Sequence, residues 1–111
     1  MEPLTPAVFH ILLSLLEEPR HGYGIMQEVA RSTNGDVNMG PGTVYGTLQR
    51  MCDAGLVEEC PRSDLRGRDE RRRYYRLTKK GHTAAVSEAE RLERLLSSAY
   101  NKALIHRPGT T

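Results

Sequence analysis

Apolar and polar positions follow a helical period over most of this chain and a strand period in two short segments. Residues 8–16 are apolar nearly all round, and the preceding Thr5-Pro6 pair suits an N-cap and a first helical position. Pro19 is expected to end this helix. A helix without a polar face is buried on more than one side, so we expect its second side to meet another subunit or an added helix.

A second helix is predicted over about residues 23–32, where Ile25, Met26, Val29 and Ala30 form an apolar stripe. Asn34-Gly35 is a typical helix stop. Val37 and Met39 then suggest a very short strand before the next helix.

The third predicted helix covers residues 41–54 and has two different faces. Its apolar positions recur at i, i+4 and i+7, namely Val44, Leu48 and Met51. The polar positions off this stripe are expected to face solvent or a ligand; they are Thr43, Thr47, Gln49 and Arg50. Pro41 fits the first turn and Gly55 fits a left-handed C-terminal stop. Together with the preceding helix this pattern is typical of a helix-turn-helix.

Two strands of a hairpin are predicted at residues 56–60 and 72–77, with Tyr75 and Leu77 on the inward face of the second strand. The loop at residues 61–71 is polar and rich in arginine. A helix-turn-helix followed by a basic hairpin indicates a winged helix, so the predicted fold class is mainly α with a small β-hairpin.

A long last helix is predicted over about residues 79–104, capped by Thr78. Apolar residues along it are spaced four, three, four, three and four, which is the 3.5-residue period of helices that pack side by side. The members of this seam are Ala85, Ala89, Leu92, Leu96, Ala99 and Ala103. No other predicted helix is long enough to accept the seam, so a second copy of the chain is the expected partner. The predicted organisation is a winged-helix domain at 1–77, a dimerisation helix at 78–105 and a disordered tail at 106–111.

The net charge of +2 conceals a strong asymmetry along the 111 residues. Residues 1–60 contain three arginines against eight acidic residues, whereas residues 61–80 contain nine basic residues against three acidic ones. A charge run is usually a solvated surface, but one that follows a helix-turn-helix favours contact with phosphates.

Several functional classes are disfavoured by the sequence. The longest apolar run is far shorter than a membrane span and the start lacks a signal-peptide pattern, so we expect a cytoplasmic protein without membrane contact. Cys52 and Cys60 are interpreted as small buried thiols, with a redox pair as the alternative. The four histidines lack metal-ligand spacing, and His21 and His82 are interpreted as capping or surface residues. Neither a cofactor, a metal nor an enzymatic activity is expected.

Four segments, in this order and spacing, resemble the PadR family of bacterial transcriptional regulators: HGYGIMQEV (21–29), PGTVYGTLQRM (41–51), GLVEE (55–59) and RRYYRLTKKG (72–81). The resemblance implies a winged-helix, DNA-binding homodimer, usually a repressor, whose last helix forms the dimer interface. Two positions depart from the family pattern, because glycine stands at 40, where serine is common, and at 46, where proline is common.

The leading hypothesis is therefore sequence-specific binding of a dimer to a double-stranded DNA operator. Tyr45 and Thr43 are expected to contact a phosphate, while Thr47, Gln49 and Arg50 reach base edges. The remaining candidate DNA contacts are arginines of the hairpin: Arg66, Arg68, Arg71, Arg72 and Arg73. The alternatives are that Tyr45 packs on the second helix and that Arg72 or Arg73 pairs with Asp69 or Glu70. A winged-helix module that binds an acidic protein instead of DNA is the second function class.

A small-molecule effector is a further hypothesis. An all-apolar first helix beside an alanine-rich seam can leave a cavity between the subunits. Such a cavity would be lined by Phe9, Leu13, Leu96 and Tyr100 and would take an aromatic or apolar compound, whereas a fully packed interface is the alternative.

Overall fold

The computed structural model describes residues 3–61 and 72–109. Its elements are α1 (Pro6–Ser14), β1 (Arg20–His21), α2 (Gly22–Ser32), α3 (Pro41–Asp53), β2 (Val57–Cys60), β3 (Tyr74–Leu77) and α4 (Lys79–Asn101). The predicted fold class is confirmed, because a mainly helical chain carries a small antiparallel sheet and ends in a long helix. No helix in the described ranges is long and apolar enough to cross a membrane.

The starts of three helices are fixed by side chains that cap them. Thr5 Oγ1 accepts a hydrogen bond from the Val8 amide, and Thr78 Oγ1 accepts one from the Gly81 amide at 3.0 Å. His21 caps α2 through Nδ1, which accepts from the Gly24 amide at 2.9 Å. The capping role predicted for His21 is therefore confirmed. Among the described residues, no side chain caps α3, because its N-cap is Gly40.

The sheet has the order β1-β3-β2 and is antiparallel throughout. β1 is absent from the sequence prediction, since a two-residue strand carries no readable alternation; it places Arg20 opposite Tyr75 and His21 opposite Tyr74. The short strand expected at Val37 and Met39 is wrong, because these residues pack half-buried against the core without strand pairing in the described chain.

The core lies where α1, α2, α3, β2 and the start of α4 meet. Its largest fully buried aliphatic side chains are Ile11, Leu12, Ile25, Val29, Val44, Leu48, Met51 and Val57. Tyr75 is buried as predicted, but Tyr74 is buried too, and Leu77 is half-buried. The simple alternation fails because Tyr74 packs edge-on against His21 of β1, with ring centroids 5.1 Å apart.

The C-terminus of α3 is tied directly to the N-terminus of α4. Lys80 Nζ donates to the carbonyl oxygen of Ala54 at 2.7 Å, and Thr78 Oγ1 donates to that of Gly55 at 2.5 Å. Gly81 lies so close to the Leu56 carbonyl oxygen that a Cβ atom there would overlap with it. These contacts fix the direction of α3 relative to the long last helix.

The predicted seam on α4 is only partly a free surface in one chain. Ala85 is 5% exposed and belongs to the chain's own core. Ala103 lies beyond the end of α4 in a left-handed conformation, with φ of 60°. The seam is therefore wrong at both ends, because its first turn is used for intrachain packing and the helix stops at Asn101. Leu92 and Leu96 remain exposed, and so do Leu13 of α1 and Leu16, which follows α1.

Candidate nucleic-acid interface

Of the five contact residues predicted on α3, four are exposed and one is buried. Thr43, Tyr45, Gln49 and Arg50 are exposed. Thr47 is 1% exposed, so the prediction that it faces solvent or a ligand is wrong. Position 47 is three residues after Val44 and lies on the same helical face, which the i, i+4, i+7 assignment leaves out. Thr47 cannot reach a base edge without unfolding part of the core.

Tyr45 is placed by close contact with the start of α2. A Cβ atom on Gly22 would lie 2.5 Å from Cζ and 2.6 Å from the hydroxyl oxygen of Tyr45. The interpretation that Tyr45 packs on the second helix is therefore confirmed. The side chain is nevertheless 51% exposed, so its other face is open to a ligand. Glycine at position 22 is what allows the ring to lie this close.

The two longer polar side chains of α3 both contact their own helix. Gln49 Nε2 donates to Asp53 Oδ1 at 3.1 Å, and both residues are exposed. Arg50 Nη2 donates to the buried hydroxyl oxygen of Thr47, also at 3.1 Å. An amide and a guanidinium are the groups that hydrogen-bond adenine and guanine edges in the major groove.

A groove with a volume of about 730 Å³ separates α3 from the base of the hairpin and the start of α2. Two half-exposed tyrosines, Tyr23 and Tyr45, and the buried Tyr75 line this groove. Its remaining lining residues are His21, Gln49, Cys52, Glu59, Arg72 and Arg73. The groove thus joins a predicted base-reading residue, Gln49, to the two arginines that directly precede β3.

The arginines of the groove have protein contacts in the free chain. Arg73 Nε lies 3.4 Å from Glu59 Oε1, and both side chains are more than half exposed. Arg72 Nη1 lies 2.9 Å from His21 Nε2. Arg66, Arg68 and Arg71 lie outside the described residues, as do Asp69 and Glu70 of the alternative pairing. Exposed ion pairs of this kind are weak, so Arg73 can exchange Glu59 for a phosphate at small cost.

Two groups in the groove are held in their neutral form. Burial raises the pKa of the Cys52 thiol, and the carboxylates of Glu59 and Asp53 add to the effect. Burial also raises the pKa of the Tyr75 phenol, followed by the charge of Glu59. A thiol with a raised pKa is a poor nucleophile near neutral pH. Both cysteines are free, and this environment fits small structural thiols.

Sequence reasoning missed three residues of this site: Gly22, Tyr23 and Glu59. Gly22 and Tyr23 lie in the HGYG segment, whose spacing carries no amphipathic period that would mark a surface. Glu59 sits in a strand of four residues, too short for its outward direction to be read with certainty. The described residues contain no cluster of three or more His, Cys, Asp or Glu that could hold a metal ion.

The model of the transcriptional regulator PadR-like family matches residues 11–87, which include the end of α1, all of α2 and α3, the described hairpin strands and the first turns of α4. The chain belongs to this family. Its members are transcriptional regulators. An uncharacterised protein of Lysinibacillus sphaericus is 34% identical over 71 residues, a match that covers 64% of this chain and 63% of that relative.

Solved structures share the fold of this PadR-like chain. A transcriptional regulator from Clostridium thermocellum is 25% identical, with a TM-score of 0.70 over 86% of this chain and 87% of its own. A PadR family regulator from Clostridium difficile is 22% identical, with a TM-score of 0.73 over 91% of this chain and its full length. Bacillus subtilis PadR, solved in complex with operator DNA, is 18% identical with a TM-score of 0.63 and is matched over 55% of its length by all of this chain.

Proposed function

We propose that this PadR-like protein is a homodimeric, sequence-specific DNA-binding repressor that reads a pseudo-palindromic operator. The observation that carries the proposal is the exposed surface of α3, where Gln49 lines a groove that also contains Arg72 and Arg73, and the next residue, Arg50, is exposed. Base-reading and phosphate-binding groups thus share one surface. The structure of Bacillus subtilis PadR with operator DNA supports the same use of this fold.

The division of labour between the parts follows from their chemistry. α3 enters the major groove, where Gln49 suits adenine and Arg50 suits guanine. Thr43 and the Tyr45 hydroxyl contact a phosphate near the N-terminus of α3, whose partial positive charge favours anions. Arg72, Arg73 and the wing arginines, defined here as Arg66, Arg68 and Arg71, bind the backbone or the minor groove.

In the proposed dimer, the second copy of the chain provides a second α3, which reads the other half-site of the operator. The exposed leucines of α1 and α4 are an apolar surface that a second copy covers, with Ala89, Leu92, Leu96 and Ala99 at its centre. Because α3 is tied to α4 at Ala54 and Gly55, the α4 pair fixes the distance between the two copies of α3. A twofold dimer requires half-sites about one helical turn, roughly 34–36 Å, apart or a multiple of that distance.

The effector hypothesis is part of the proposal. A cavity between subunits, lined by Phe9, Leu13, Leu96 and Tyr100, binds an aromatic or apolar compound and relieves repression. In one chain Leu13 and Leu96 are exposed, while Phe9 and Tyr100 are half-buried, so all four offer surface to such a compound. A crystal structure of the dimer in which these residues pack without a void would exclude this part.

Selection of bound fragments from random duplex DNA, followed by a mobility shift with random competitor, tests the proposal. We expect enriched sequences with twofold symmetry and a saturable shift that survives an excess of competitor. A shift abolished in proportion to competitor would contradict sequence-specific binding. Absence of any shift would favour the protein-interaction module instead.

A further inference from the structure

The guanidinium of Arg50 lies against its own helix, one turn towards the N-terminus. Arg50 Nη2 donates to Thr47 Oγ1 at 3.1 Å. A Cβ atom built on Gly46 would have Arg50 Nη1 at 3.7 Å, an ordinary van der Waals distance. The Arg50 guanidinium therefore lies over Gly46, and its hydrogen bond to the Thr47 hydroxyl holds it there.

We infer that Thr47 is a positioning residue that holds Arg50 in one orientation for reading a base pair, across the space beside Gly46. The inference rests on the proposed function and deepens it, because it names a residue that never touches DNA and still determines specificity. Thr47 is suited to this role because it is 1% exposed, and its place beside Val44 on the buried face leaves it little freedom to move. The burial of a polar side chain at position 47 thus acquires an explanation.

The physical benefit is a lower entropic cost of binding. A free arginine loses several rotatable bonds when it makes a bidentate contact, and immobilising such a side chain costs about 0.5–1.5 kcal/mol. One donor of the guanidinium is used at Thr47, and an arginine has five N–H donors in a fixed fork. The remaining donors can still make a bidentate contact with the O6 and N7 atoms of guanine.

Gln49 provides the contrast within the same helix. Its partner is Asp53, which is exposed, so water competes for the hydrogen bond and the amide stays adaptable. The structure therefore assigns to Arg50 a base-contacting side chain with one fixed orientation, and to Gln49 one whose orientation can adapt. A guanidinium fixed by a buried group tolerates a changed base pair less well than an adaptable amide does.

A double-mutant cycle on the full chain tests the inference. The probes are the duplex selected from random DNA and the same duplex with single base pairs changed, titrated by fluorescence anisotropy. Arg50→Ala identifies the base pair that Arg50 reads, because preference there should fall by about 5- to 150-fold. Thr47→Val removes the hydroxyl at nearly constant shape and should lower preference at that same base pair by about threefold to tenfold.

The decisive comparison is the effect of Thr47→Val on base preference in the wild-type protein and in the Arg50→Ala protein. Thr47→Val should have no further effect on base preference in the Arg50→Ala protein, whereas Thr47→Ser, which keeps the hydroxyl, should retain the preference. Gly46→Ala is the matched control for helix stability, since its methyl group fits beside the guanidinium. A thermal melt of each variant separates changes in folding from changes in preference.

Three results would overturn the inference. An unchanged preference in Thr47→Val would show that the hydroxyl does not position Arg50, while the proposed function would stand. An equal loss in both backgrounds would show that Thr47 acts through the fold and not through Arg50. A wild-type protein that binds selected and scrambled duplexes equally would overturn the proposed function, and this inference with it.

Discussion

Leu92→Asp should convert the protein from a dimer to a monomer, because it places a carboxylate in the centre of the proposed α4 interface. Five leucines on α1, its C-terminal continuation and α4 are between 38% and 56% exposed in one chain: Leu13, Leu16, Leu92, Leu95 and Leu96. Together their exposed fractions amount to about two whole leucine side chains, so burying them contributes roughly 3–7 kcal/mol per protomer.

The free energy gained by burying these leucines is close to the free-energy cost of bringing two chains together. The dimer gains roughly 7–14 kcal/mol from two such surfaces, against a cost of about 4–15 kcal/mol for lost freedom of motion. Twofold symmetry doubles every substitution, so Leu92→Asp buries two unpaired carboxylates in one interface. We expect a loss of at least about 3 kcal/mol, which raises the Kd for dimerisation more than a hundredfold.

Sedimentation velocity at micromolar concentration measures this change. Asn101→Asp is the matched control, because it adds the same charge to α4 nine residues later, half a turn around the helix from Leu92. Wild type and the control should sediment as dimers and Leu92→Asp as a folded monomer. A dimer that persists in Leu92→Asp, or in the equivalent Leu96→Asp, would refute the proposed interface.

Three further predictions concern the wing, α3 and the N-terminal segment. Removal of the three wing arginines should weaken binding to all duplexes, as measured by anisotropy. It should also make the slope of log K against log salt concentration shallower, by up to about 0.9 for each phosphate that is no longer neutralised. An unchanged slope would identify these arginines as a solvated surface. Gly46→Ala should stabilise α3 by roughly 0.5–1 kcal/mol in urea unfolding, since glycine is the poorer helix former and the added methyl meets only an ordinary contact with Arg50; a loss of stability would show that the space is not open. Glu88 accepts hydrogen bonds from Arg91 and from the Leu4 amide, and the Arg91 bond is the main cause of the lowered pKa of its carboxyl group. The stabilisation from these contacts is therefore present at neutral pH and is lost as the pH falls through the lowered pKa. Glu88→Gln should flatten the acid side of a Tm–pH profile, and an unchanged profile would contradict this.

The sequence allows prediction of the elements whose periodicity extends over several turns. α2 and α3 end within one residue of the expected positions and α4 begins at the expected one, because the stops at Asn34 and Gly55 and the cap at Thr78 are local signals that tertiary contacts do not override. β1 escapes prediction because two residues have no period, and its pairing with β3 depends on the chain folding back over 50 residues.

Errors within the candidate site have the same origin. Polarity alone assigns Thr47 to the outer face of α3. In the structure its position on the helix, three residues after Val44, determines that it is buried. Tyr74 is expected outward because a hairpin has one buried face, but the unpredicted β1 covers its other side. The heptad spacing assigns Ala85 to the dimer seam, although the first turns of α4 are needed to close the chain's own core.

The central claim is that α3 and the basic hairpin recognise a particular duplex sequence. The ratio of affinities for a selected and a scrambled duplex, both measured by fluorescence anisotropy at the same near-physiological salt concentration, tests it most directly. Specific readout predicts a ratio of at least about a thousand, with both affinities falling as salt increases. Equal affinities for the two duplexes would contradict the claim.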